Sequence, residues 1–270
     1  MLAGTPRDSP PDPTAVTGRD RATVLTCVLL LAIAAASWVH VLVLPMGADD
    51  MAGMDMAMSP TVADGLAFVA AWSVMMAAMM LPSALPMIGL YAATQRNAAG
   101  RVGKVMRVAL FALVYLGLWA AMGVPIYCGS VALSALTSRA LAYGIAGVLL
   151  VAGIFQLTPL KQACLRSCRS PLGFLLGHWR AGWRGSLAMG WAHAVSCLGC
   201  CWALMLVLVA AGAMGLPWVL LIAAVVAAEK LLPRGAWIAR VTGVALLVLG
   251  VAVAVRPELA VALRAGGQSI

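Results

Sequence analysis

Seven long apolar runs alternate with short polar stretches along the chain. They cover Thr23–Leu44, Gly65–Tyr91, Val105–Tyr127, Arg139–Leu157, Ser186–Ala213, Leu216–Leu232 and Gly235–Val255. A helix needs about 20 apolar residues to cross the hydrocarbon core of a bilayer. Each run reaches or approaches that length, and none carries the clean polar face of a soluble amphipathic helix. The pattern predicts an all-α fold, a polytopic transmembrane helix bundle of about seven spans. The sixth run is the weakest span, because it is short and closes on Glu229-Lys230. Pro82 and Pro86 lie in the later part of the second run, "MMLPSALPM". Each removes a helical donor and strains the preceding turn, so this span is expected to be kinked and to expose backbone carbonyls.

The segments between the runs complete the layout. Residues 1–22, proline-rich and without an apolar run, read as a disordered cytoplasmic tail. Residues 23–256 form the integral membrane domain, and 257–270 a short tail. The first apolar run is too long for an ordinary signal-peptide core, so it reads as an uncleaved span. Thr158–Gly185 is long, basic and tryptophan-bearing ("GHWRAGW"), as expected of a segment lying along the cytoplasmic face.

Composition supports this layout. The 270 residues are 63% hydrophobic and 10% charged, with a mean hydropathy of +1.00, far from the balance of a soluble domain. The net charge of +9 invites a nucleic-acid reading, which its distribution removes. With the N-terminus in the cytoplasm, the basic residues of the cytoplasmic segments are Arg7, Arg19 and Arg21; Arg96, Arg101, Lys104 and Arg107; Lys161, Arg166, Arg169, Arg180 and Arg184; and Lys230, Arg234 and Arg240. Only Arg139, Arg256 and Arg264 of the 18 fall elsewhere. That is the positive-inside bias of a membrane protein in contact with lipid headgroups, with no nucleic-acid partner needed.

The candidate chemistry is sulfur. "HAVSCLGCCWALM" places His193, Cys197, Cys200 and Cys201 at three- and four-residue spacings, near one helix face. Four-residue steps drift around the helix, so the compact core is His193, Cys197 and one of Cys200 or Cys201. Cys197 lies about 16 Å along the helix from Ser186, near the bilayer midplane. In the second run, Met75 and Met79 share one face and Met76 and Met80 another. Thioethers are neutral soft donors suited to Cu(I), although methionine stripes are also common packing. The outer loop "MGADDMAGMDMAMSP" interleaves Met51, Met54, Met56 and Met58 with carboxylates, a pattern able to gather a soft cation. In "TPLKQACLRSCRSP", Cys164 and Cys168 stand at i and i+4 among Lys161, Arg166 and Arg169. Neighbouring cations favour the thiolate that binds metal. Glu229-Lys230 reads as an interfacial pair at the cytoplasmic boundary, with a structural role favoured.

At these residues the chain resembles a known family. "W-x-x-M-M-A-A-M-M-L-P" (72–82), "QLTPLKQACLRSCRSPLGF" (156–174), "CLGCCWALM" (197–205) and the later Glu229-Lys230 resemble the predicted metal-binding integral membrane proteins, domain of unknown function 2182. Members are sometimes labelled copper chaperones. The likeness spans roughly residues 62–249 and implies a bacterial multi-pass inner-membrane protein that binds metal. A soft-metal function follows as the leading expectation, with Cu(I) bound, sequestered, delivered or passed across the membrane, and a periplasmic or cytoplasmic copper protein as partner. The alternatives are a thiol-disulfide oxidoreductase using Cys197/Cys200, or a structural subunit whose sulfurs are packing. No nucleotide loop, ion-pump motif or hydrolase-type residue set is seen, so no enzyme activity and no organic cofactor are expected.

Overall fold

The protein, seen here as a computed structural model, is described over residues 21–43, 61–95, 100–134, 136–212 and 215–265. Among the described residues every regular element is a helix: α1 (Arg21–Val43), α2 (Val62–Thr94), α3 (Gly100–Ala121), α4 (Gly123–Ser134), α5 (Ser138–Leu157), α6 (Pro159–Arg169), α7 (Pro171–His178), α8 (Gly182–Ala210), α9 (Leu216–Leu231), α10 (Gly235–Val255) and α11 (Glu258–Ala265). Six helical stretches are long and apolar enough to cross a membrane: Thr23–Val43, Val62–Thr94, Val102–Leu133, Ser138–Leu157, Gly182–Ala210 and Gly235–Val255. They match six of the seven expected spans. The remaining one, the sixth run, forms α9, whose 16 residues rise about 24 Å, short of a ~30 Å hydrocarbon core.

Local chemistry sets the boundaries. Thr61 and Asp64 form a reciprocal capping box at the start of α2, with Thr61 N–H donating to Asp64 Oδ2 at 2.9 Å and Asp64 N–H to Thr61 Oγ1 at 3.3 Å. Pro82 and Pro86 do not interrupt α2, which runs for 33 residues through both. The third expected span is instead divided at Met122 into α3 and α4. Pro125 has no N–H to offer the Ala121 carbonyl, and the first turn of α4 is the place where a helix tolerates that loss. The segment Thr158–Gly185, expected as one interfacial stretch, folds into α6 and α7. Thr158 caps α6 by accepting from Lys161 N–H at 3.2 Å, and prolines open both helices.

Of the six membrane-length stretches, α8 is the most buried and α1 the least, so α8 is the axis and α1 lies at the periphery. α1 lies along α2, α3 packs on α2 and α8, and α10 pairs with α5. Two buried polar bonds tie α2 into the bundle: Trp72 Nε1 donates to the Trp119 carbonyl at 2.9 Å, and Tyr91 Oη to Ser186 Oγ at 2.7 Å. The C-terminal ends of α5 and α9 and the first turn of α6 all meet the middle of α8, where Gln156, Lys161 and Glu229 converge near the Cys200 carbonyl.

α5 and α10 touch backbone to backbone. A Cβ built on Gly153 would sit 2.8 Å from the Gly243 carbonyl oxygen and 2.7 Å from Leu247 Cγ. Small residues at a membrane helix contact permit this approach. Gly153→Leu is therefore expected to force the pair apart at a cost of about 1–3 kcal/mol. Thermal unfolding of the detergent-solubilised protein should show a lower midpoint than wild type.

Candidate metal centre

The middle of α8 carries the cysteines, and its neighbours close around them. Cys197, Cys200 and Cys201 are all buried, at 2%, 1% and 1% exposure. The Cys200 and Cys201 thiols donate back to the Cys197 carbonyl at 3.1 and 2.9 Å. Such i−3 and i−4 bonds hold the thiols close to their own helix. α6 approaches this face, and Cys168 Sγ comes to 3.7 Å from Cys200 Sγ. Cys164 lies against Gly199, where a Cβ would sit 2.9 Å from its sulfur. Gly199 thus leaves room for the α6 thiol.

Two further groups meet Cys197. Tyr115 of α3 places its hydroxyl 3.1 Å from Cys197 Sγ, and Lys230 of α9 donates to the same sulfur at 3.0 Å. The Lys230 ammonium also faces Ser83 Oγ at 3.3 Å and Met80 Sδ at 3.7 Å. Met80 and Cys197, from the two sulfur-rich spans, therefore share one buried cation. This corrects the reading of Glu229-Lys230 as an interfacial pair. Glu229 is 1% exposed and accepts from Lys161 at 2.6 Å and from Gln156 Nε2 at 2.7 Å, while Lys161 also donates to the Cys200 carbonyl. α9 ends within the bundle beside the middle of α8, so residues at its terminus are interior. The sequence signal was present in the ionisable pair closing an apolar run. Tyr115, Ser83 and Gln156 gave no such signal.

Other candidates fall at varied distances from this point. Met75, Met76 and Met79 are buried in the core around α2, as is Met80. His193 faces the interior, as its cost in lipid requires, and its ring stacks on Tyr115 at 5.4 Å and meets Phe111 and Phe174. It joins the thiols through Tyr115, and its Nδ1 has no partner among the described groups. Met51, Met54, Met56 and Met58 lie outside the described residues, as does the segment 1–20. Burial pushes the Cys164 thiol up from its ordinary value, with Lys161 opposing, and hydrogen bonds with the Cys197 and Cys200 sulfurs push Cys168 up. The basic flank was expected to lower them. Packing of α6 against α8 outweighs it.

Among the described residues no set of three or more His, Cys, Asp or Glu side chains is arranged to hold a metal ion. What the structure offers is a thiol pair with further soft donors nearby. A metal–thiolate bond of about 2.3 Å at a tetrahedral angle places two sulfurs about 3.8 Å apart. The Cys168–Cys200 separation fits that span.

A family model described as PpoB2, copper chaperone, matches residues 69–253. The matched stretch includes Met80, Cys164, Cys168, the α8 cysteines and Lys230, and excludes Met51–Met58. No curated protein and no solved structure matches the chain.

The buried pair yields a stability test. Glu229→Gln leaves the Lys161 ammonium without its counter-charge and should destabilise by about 3–5 kcal/mol. The double change Lys161→Met with Glu229→Leu removes both charges and should recover much of that loss in a thermal melt.

Proposed function

The chain belongs to the family described as PpoB2, copper chaperone, and on that premise we propose that it binds Cu(I) within its helix bundle through Cys200 and Cys168, with Cys197 and Met80 completing the soft surroundings. The observation that carries this reading is the approach of a half-buried α6 thiol to a buried α8 thiol at 3.7 Å, in a bundle interior that also holds the buried Met80 thioether. Thiolate and thioether donors select Cu(I) over harder ions. Binding deprotonates the ligating thiols, and the Lys230 ammonium beside Cys197, one helical turn away on α8, offsets the negative charge they then carry.

Each group has a distinct part. Cys168 rides on α6, at the basic end of the bundle, and is the thiol through which the ion enters or leaves. Cys200 and Cys197 hold it in the interior. Tyr115 orients Cys197, and the Lys161–Glu229 pair keeps α6 docked on α8. The proposed setting is a bacterial inner membrane with a cytoplasmic N-terminus, and the reading assigns the protein no catalytic step. The Met-Asp loop would collect copper on the opposite side, and a soluble copper protein would exchange it.

A second reading has one observation in its favour. The same 3.7 Å approach suits a Cys168–Cys200 dithiol that cycles to a disulfide. It differs from the Cys197/Cys200 pair expected from spacing. One experiment separates the two. Anaerobically purified protein should bind stoichiometric Cu(I) in a competition titration, with the ion lost in Cys168→Ser/Cys200→Ser. A metal-free wild type carrying a reducible Cys168–Cys200 disulfide would instead support the redox reading, and neither result would mean the sulfurs are packing.

A further inference from the structure

The basic, tryptophan-bearing turn between α7 and α8 plays no part in the thiol site. It lines a groove of about 650 Å³ whose walls include His178, Trp179, Arg180, Arg184, Trp191 and, from α3, Val114. The turn is built by glycine. Gly182 has φ +78°, in the left-handed region that a side chain disfavours. A Cβ on Gly185 would collide with the Arg180 carbonyl. These two positions fold the chain back so that Arg180 and Arg184 open onto one groove.

Its chemistry is that of an anion site at a bilayer surface. Neither arginine has a carboxylate partner among the described residues. Arg184 is held over the Trp183 ring at 5.2 Å, a cation–π contact that directs the guanidinium without neutralising it. The N-cap of α8 is Ala181, which supplies no side-chain cap, so the helix's first N–H groups add positive potential there. Trp179, Trp183 and Trp191 are 47%, 52% and 55% exposed, unusual for tryptophan in water and ordinary for the aromatic belt at lipid headgroup depth. Leu187 and Ala188 continue the groove as an apolar wall.

We propose that this groove binds the headgroup of an anionic phospholipid, with Arg180 and Arg184 on the phosphate and the tryptophans bracketing the glycerol region. A phospholipid is favoured over a free phosphate because the groove joins two cations to an apolar wall and an aromatic rim, and a small inorganic anion uses only the first. The site is independent of the thiol cluster.

The test is native mass spectrometry of the full chain in detergent, titrated with phosphatidylglycerol, phosphatidylcholine or inorganic phosphate. Wild type should retain phosphatidylglycerol in preference to phosphatidylcholine. Arg180→Gln/Arg184→Gln should weaken that retention about tenfold and leave phosphatidylcholine binding as it was. Brominated phosphatidylglycerol should quench tryptophan fluorescence in wild type, and less in Trp179→Phe/Trp191→Phe. Both variants change exposed side chains, and an unchanged gel-filtration profile confirms their folding. Equal retention of the two lipids, undiminished phosphatidylglycerol binding in the arginine variant, or displacement of the lipid by equimolar inorganic phosphate would each overturn the proposal.

Discussion

Charge inside an apolar helix bundle must be paired, and the Lys161–Glu229 bridge is where this protein meets that demand. Both side chains are essentially fully buried, at 2.6 Å from each other. Desolvating the two ions costs several kcal/mol each, and their attraction offsets this only with good geometry and further hydrogen bonds. Gln156 and the Cys200 carbonyl supply those bonds. One electrostatic knot therefore draws together the end of α5, the start of α6, the end of α9 and the middle of α8. The position of α6, and with it Cys168, depends on this knot.

The same demand shapes the sulfur cluster one helical turn away. Lys230 has no carboxylate within reach among the described residues and instead directs its ammonium at Cys197, Ser83 and Met80. A sulfur that can carry negative charge is the strongest partner available to it. Neutral thiols and thioethers cost little to bury, so several can be gathered in a bundle where carboxylates could not. On the proposed reading, two thiolates around one monovalent soft ion leave a single negative charge, and the nearby Lys230 ammonium balances it.

Two regions of different chemistry thus share one scaffold. The interior around α8 is sulfur-rich and buried. The turn between α7 and α8 is cationic, aromatic and exposed. They are joined by α8 itself, about 15 residues apart along one rigid helix. Anchoring the start of α8 at a lipid surface would set the depth at which its cysteines lie.

The chain's apolar periodicity alone determined the class of fold, because a helix must satisfy its own backbone in lipid and its length is set by bilayer thickness. Six spans were legible for that reason, and the sulfur-bearing stretches of α2 and α8 stood out by composition. The sixth run, the weakest of the seven in sequence, forms the 16-residue α9, and only packing shows that its Glu229 and Lys230 end inside the bundle. Helical spacing put Cys197, Cys200 and His193 on one face. It carried no information on α6, whose Cys168 reaches Cys200 by a contact 32 residues apart in the chain. Tyr115 and Gln156 looked like ordinary members of apolar helices. Their roles come from which faces meet across the bundle, and that is decided by side-chain interlocking between distant segments, which no local pattern encodes.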